Sequence, residues 1–256
     1  FDPEFASDDP GDVCRLRLKN INNVMHYDIA DGAIAPTNFQ ADTYPWPFRQ
    51  KIKVMHDGID TQLIKPNPNV AVQVKPGLTL KRSDEVITFV NRNLEPYRGY
   101  HVFMRALPRL LKERPNAHVL IVGADGVSYG KRPDGDTTWK QIFIDEVKPQ
   151  IDDSDWQRVH FIGTVPHNHF ISLLQLSTVH VYLTYPFVAS WSLLEAMSAG
   201  CAIVGSDTAP VQEFIEHEKH GLLTPFFDTD ALIQNVVKLL QPKLARTVGS
   251  RSQKKS

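Results

Sequence analysis

The stretch from Val179 to Asp207 does most to limit what this chain can fold into. An apolar run, Val179 to Leu183, reads as a buried strand. It breaks at Pro186, and a helical pattern then runs through Leu193, Leu194 and Met197 to stop at Gly200. A second apolar run, Ala202 to Gly205, follows at once and closes in Ser206 and Asp207. Strand, loop, helix, strand is a βαβ unit. Ligands of such units gather at the carboxyl ends of the strands, where helix N-termini present free N–H groups. Ser190, Trp191 and Ser192 make that first turn, and Glu195 projects one turn further on. Backbone amides for phosphate plus a carboxylate for ribose hydroxyls describe a nucleotide site. A surface helix capped by Ser190, with Glu195 merely solvated, explains the same residues equally well.

The alternation extends both ways. Strands are expected at Val86–Val90, Val119–Val122, Val159–Ile162 and Leu222–Leu223. Helices are expected at Tyr100–Arg114, which Pro108 should kink, and at Trp139–Ile151, His167–Leu176, Val211–Glu218 and Thr229–Leu240. The fold class is α/β: a Rossmann-like parallel sheet with helices on both faces, occupying residues 85–241.

What precedes is less regular. Residues 1–12 read as a disordered lead or cloning remnant, and 242–256, with five Lys or Arg and no acid, as a solvated basic tail. Residues 13–56 offer a helical spacing at Leu18, Ile21 and Met25, strands at Ala33–Ala35 and Ile52–Met55, and a short helix at Thr37–Tyr44. Their apolar faces need more neighbours than the segment supplies, so it reads as the remnant of a larger N-terminal domain. Residues 57–84, irregular and proline-containing from about Lys65, read as an interdomain connection.

Composition enters by exclusion. Lys plus Arg number 28 against 29 Asp plus Glu, so no global field favours nucleic acid. No apolar run reaches the roughly 18 residues of a spanning helix, and no signal-peptide pattern opens the chain. Cys14 and Cys201 lie far apart without metal-ligand spacing, and reduced cytoplasmic thiols are the simpler reading.

A second cluster sits at the first strand of the regular part. Arg92 follows that strand, and Arg98 stands just before Gly99 and the helix. Two guanidinium groups at the end of a parallel strand suit a diphosphate. Taken alone, a locally salt-bridged loop of Arg92, Glu95 and Arg98 is the simpler account. The polar loop from Gly126 to Thr137, with Tyr129, Lys131 and Arg132, reads either as solvated or as a contact to a sugar or acceptor.

Taken in order, these features resemble the C-terminal half of the family-4 glycosyltransferases, retaining enzymes of the GT-B fold that use nucleotide-sugar donors. The matched positions are Arg92 and Arg98, Phe161 and Gly163, Leu194-Glu195-Ala196-Met197 and Gly200, Ser206-Asp207, Glu213 and His220-Gly221. His56 to Asp60 resembles the family's crossing between domains. The resemblance implies that Arg92 and Arg98 stabilise the leaving diphosphate. It implies that Val165 to His167 border the base, that amides at Ser190, Trp191 and Ser192 hold phosphate, and that Glu195 binds the ribose. No metal or cofactor is implied, and the partners would be a nucleotide sugar and a glycan or lipid-linked acceptor, with peripheral membrane contact through the missing domain. Phe187 stands where the family's first paired Glu would be and is expected among the donor-binding residues, packed on the sugar or on the domain wall; this leaves the sugar's identity open, and Arg98 replaces a more usual Lys. The family's glycine-rich loop and acceptor-side histidine have no match, so transfer by this chain alone is expected to be poor or absent. A nucleotide-sugar epimerase of the same fold and a non-catalytic nucleotide-sugar binder are the rival readings.

Overall fold

A computed structural model of the protein describes residues 3–6 and 9–255. The chain divides into two units, at Asp57 and Gly58.

The first unit comprises α1 (Gly11–Ile29), β1 (Ala33–Ala35), α2 (Asn38–Asp42), α3 (Trp46–Arg49) and β2 (Ile52–Val54). β1 and β2 pair in parallel over a small core of Ala35, Ala41 and Ile52. Thr37 starts α2 by accepting the Gln40 N–H, and Tyr27 stacks on Phe48 with centroids 4.6 Å apart. The expected lead of residues 1–12 differs where it is described. The Asp9 carboxylate accepts the Gly11 N–H at 2.7 Å and α1 starts there. Positions 1, 2, 7 and 8 lie outside the described residues.

The second unit opens with β3 (Ala71–Lys75) and β4 (Leu78–Lys81), an antiparallel hairpin turned at Pro76-Gly77. The stretch expected to be irregular is therefore partly ordered. Val70, Val72 and Leu80 pack with Val86, Leu120, Leu173 and Leu176 in one cluster. Strands of four and five residues flanking Pro-Gly are too short for their alternation to stand out in sequence.

The main sheet contains β5 (Val86–Asn93), β6 (His118–Ala124), β7 (Val159–Gly163), β8 (Val179–Tyr182), β9 (Ala202–Ser206) and β10 (Leu222–Thr224). All pairs are parallel, in the order β10-β9-β8-β5-β6-β7. The connecting helices are α4 (Tyr100–Glu113), α5 (Trp139–Val147), α6 (Asp153–Trp156), α7 (His167–Leu176), α8 (Trp191–Ser198), α9 (Ala209–Gln212) and α10 (Thr229–Leu239). Alternate residues of β5 face opposite ways, as the pleat requires. Phe89 stacks on Phe103 of α4 at 4.5 Å, whereas Val86 and Val90 pack with Leu173 and Leu176 of α7. Helices thus cover both faces. α4 continues through Pro108, because burial of Phe103, Leu107, Leu110 and Leu111 offsets the lost backbone bond. The helix expected over Val211–Glu218 is shorter and ends at Gln212; Glu218 has a left-handed backbone, φ 64°.

The basic tail is a helix, α11 (Pro242–Lys255), packed on β9 and α8. Val248 and Ser252 are buried, and a Cβ on Gly249 would stand 2.4 Å from the Gly200 carbonyl oxygen. Its inward face is small and weakly apolar, so no hydrophobic period announces it. No helix among the described residues is long and apolar enough to cross a membrane. Both cysteines are free thiols. Cys14 is exposed, and Cys201 is buried, with burial pushing its thiol up to about 12.

Candidate active site

The sheet order places β5 beside β8, with the chain leaving β5 toward β6 and leaving β8 toward β9. Connections that diverge from two neighbouring strands leave a crevice at their carboxyl ends. A cavity of about 620 Å³ occupies that crevice.

One wall comes from β5. Its pairing with β6 shifts register between Val90 and Asn93, which puts Arg92 on a bulge at the end of the strand, exposed, lining the cavity. Among the described residues none makes an ion pair or hydrogen bond with its guanidinium. A short turn, Pro96–Arg98, then enters α4 through Gly99. Gly99 has φ 72°, and a Cβ there would lie 2.3 Å from the Leu183 Cβ, so only glycine allows this approach. The approach delivers Arg98 to the end of β8. Its Nη1 donates to Thr184 Oγ1 at 2.9 Å and to the Val188 carbonyl at 3.0 Å. The guanidinium also lies 5.4 Å from the Tyr129 ring centre and 5.5 Å from that of Phe187.

The opposite wall is the first turn of α8. Ser190 accepts the Ser192 N–H at 3.3 Å, and the Ser190 N–H donates to the Tyr182 hydroxyl at 2.8 Å. Burial pushes the Tyr182 phenol up, with Arg98 pulling the other way, so it stays a neutral acceptor. Both serine amides expected to face phosphate therefore already have partners within the chain. Trp191 is exposed at the cavity's edge. Glu195 is buried, and His167 Nε2 donates to its Oε1 at 2.7 Å. This excludes the reading of Glu195 as a solvated surface residue. Val165 and His167, beyond the Gly163 turn of β7, line the third side.

The cavity thus gathers Arg92, Arg98, Val165, His167, Ser190, Trp191 and Ser192. Glu195 reaches it through His167. Phe187 does not line it; its ring packs on Tyr97 at 5.3 Å and on Tyr129 at 4.8 Å.

The salt-bridged loop expected of Arg92, Glu95 and Arg98 is absent among the described residues. The Glu95 carboxylate turns inward and accepts backbone N–H groups of Ser128, at 3.0 Å, and Gly130, at 2.9 Å. A carboxylate near two arginines reads as an ion pair in sequence, and nothing local marks a loop more than thirty residues on as its true partner. Tyr129 of that loop lines the cavity, whereas Lys131 pairs with Asp134 at 3.7 Å and Arg132 is exposed. Among the described residues no group of three or more His, Cys, Asp or Glu is placed to hold a metal ion.

Comparison with known proteins bears on this arrangement. Residues 84–242 match the family described as Glycosyl transferases group 1, and residues 1–64 match the Glycosyl transferase family 4 group. D-inositol 3-phosphate glycosyltransferase of Mycobacteroides abscessus is 23% identical over 236 residues, covering 91% of this chain and 49% of that enzyme. The chain spans no more than about half the length of the curated relatives it matches. Sucrose-phosphate synthase from Thermosynechococcus elongatus superposes with a TM-score of 0.73 at 19% identity, over 98% of this chain and 59% of that one. HepE of Anabaena, solved in complex with UDP and glucose, gives 0.71 at 20% identity, over 99% and 63%. At such identities these likenesses speak for the fold alone. The match over most of the parallel-sheet unit carries the family assignment: the chain belongs to the group 1 glycosyltransferases, family 4, of the GT-B fold.

Proposed function

We propose that the chain is the donor-binding part of a retaining glycosyltransferase that moves a sugar from a nucleoside-diphosphate sugar to a glycan or lipid-linked acceptor. The observation that carries this is the crevice between β5 and β8, with the unpaired Arg92 and the anchored Arg98 on one wall and the exposed His167, bonded to the buried Glu195, on another. A departing diphosphate gains negative charge as the glycosidic bond breaks, and cations fixed in advance stabilise that charge without reorganising. Arg92 brings a guanidinium not committed elsewhere. Arg98 brings one whose position is set by Thr184 and Val188, leaving the rest of its fork for phosphate.

On the other wall, the 3.3 Å bond from Ser192 N–H to Ser190 is long, and a phosphate oxygen at this helix start would displace it. Glu195, oriented by His167, accepts from ribose hydroxyls, and the main chain around Val165 borders the base. Retention follows front-face displacement, in which the donor phosphate assists the acceptor hydroxyl and no enzyme nucleophile forms. The arginines balance the charge in this scheme, and it assigns no role to a metal ion. The chain by itself binds donor and transfers little, because it spans about half of its relatives. We place the parent protein in polysaccharide or glycolipid synthesis in the cytoplasm, at the inner face of a membrane.

A thermal-shift titration with UDP, GDP, dTDP, CDP and ADP, on wild type and Arg92→Ala, tests the site. The UDP bound to HepE makes that nucleotide the first to try. At about a hundred times its dissociation constant, the right nucleotide adds roughly 2.7 kcal/mol of stability. Arg92→Ala should lose that gain while its own unliganded melting temperature stays unchanged. A wild type indifferent to every nucleotide would overturn the donor site. Robust sugar transfer by the 256-residue chain would overturn the expectation that it transfers little by itself.

A further inference from the structure

The loop between β6 and α5 is fastened to the cavity by one residue. Glu95 is 1% exposed, and among the described residues no cation pairs with it. Its oxygens accept three successive amides, from Ser128 at 3.0 Å, Tyr129 at 3.4 Å and Gly130 at 2.9 Å. A buried carboxylate without a counter-ion is costly unless several donors converge on it, and here the loop backbone supplies them. Asn93 adds a bond from its Nδ2 to Ser128 Oγ at 2.6 Å. The fit is close: a Cβ on Gly126 would stand 2.9 Å from Asn93 Oδ1, and one on Gly130 3.1 Å from Glu95 Oε2.

What this fastening positions is the Tyr129 ring. It stands 4.8 Å from Phe187 and 5.7 Å from Tyr97, with the Arg98 guanidinium 5.4 Å from its centre. The residue is nevertheless 50% exposed and lines the cavity. An aromatic surface fixed beside a phosphate-binding cation, and still half open, is a platform for whatever is joined to the phosphate.

We propose that Tyr129, positioned by Glu95, is the surface on which the donor's sugar rests, with a pyranose C–H face against the ring. A pyranose carries hydroxyls around its edge and C–H groups on its faces, and C–H groups meet the electron-rich face of an aromatic ring favourably. Tyr97 and Phe187 pack against Tyr129 without lining the cavity, so Tyr129 is the ring that this loop presents to the sugar. Tyr129 then contributes to binding of the sugar and not of the nucleotide, and Glu95 acts only by holding Tyr129 in place. This rests on the donor-site reading above.

Calorimetric titration of the whole chain separates the two ideas. The probes are UDP against UDP-glucose, GDP against GDP-mannose and dTDP against dTDP-glucose. Tyr129→Ala should weaken the sugar nucleotide by about fivefold and leave the bare nucleotide within about twofold. Tyr129→Phe, which keeps the ring, should behave as wild type. Glu95→Gln should reproduce the selective loss, and combining it with Tyr129→Ala should add nothing further. The inference is overturned if Tyr129→Ala weakens both ligands equally or neither, or if the two losses add in full. If Glu95→Gln does not fold, the half-exposed Tyr129 variants still decide it. Wild type that binds no nucleotide removes the donor site and this inference together; normal nucleotide binding without the selective loss removes only the inference.

Discussion

Arg98 shows why a planar cation stands where the family resemblance expects lysine. Its guanidinium spans Thr184 Oγ1 and the Val188 carbonyl while lying against the rings of Tyr129 and Phe187. An ammonium could donate to both oxygens as Nη1 does, but it has no planar face to lay against the two rings. Arg98→Lys should therefore cost about 1–2 kcal/mol in urea unfolding, besides weakening nucleotide binding. Arg92→Lys, at an exposed and unpartnered position, should leave stability unchanged. Phe187 belongs to the same explanation, since its ring packs on Arg98 and Tyr129 instead of entering the cavity. At this scale the sequence was legible wherever a residue's chemistry acts close to its own position. Arg92, Arg98 and the Ser190 turn meet at the cavity as their places after strands imply. Glu95 was misread because its partners are amides, which every residue carries and no residue type announces.

Among the elements, α11 makes the sharpest test of packing against propensity. Replacing a helical glycine by alanine ordinarily stabilises a helix by up to about 1 kcal/mol. At Gly249 the added methyl would meet the Gly200 carbonyl at 2.4 Å. Gly249→Ala should therefore destabilise the chain by roughly 1–3 kcal/mol, and a raised denaturation midpoint would disprove the contact. This helix and the β3–β4 hairpin are elements that sequence did not yield, as are the single-turn helices α3 and α6. α11 turns a face of small residues inward, and the hairpin is too short for its alternation to register. His167–Leu176 falls within the expected bounds, and β5, β6 and β7 extend their expected cores by one to three residues. In the helix strongly apolar side chains recur at helical spacing, and in the strands they run almost unbroken, as they do where both faces of a sheet are covered.

For the whole molecule, buried histidines set the response to acid. Burial lowers His180 to about 4; burial, with help from His118 and Lys75, lowers His160 to about 4. Both stay neutral in the folded chain while the unfolded chain takes up protons below about 6.5. The stability they permit is complete above that value and is lost as pH falls toward 4, by on the order of 3 kcal/mol for the fully enclosed His180 and by less for the partly enclosed His160. Urea midpoints at pH 7.5, 5.5 and 4.5 should fall steadily, and His160→Gln should flatten the slope. No change across that interval would show that these rings titrate normally. The parallel α/β class was readable from the alternation of strands and helices, and the strand order β10-β9-β8-β5-β6-β7 then fixes where the crevice opens. That order was not readable, since pairing joins runs of similar apolar character that sequence cannot tell apart. The contrast between the two thiols has a practical side. A maleimide dye should attach at Cys14 alone, because Cys201 is enclosed and its thiolate is disfavoured at neutral pH. The unaltered chain can thus be tagged at one defined point in its first unit, with no cysteine replaced and the second unit left unmarked.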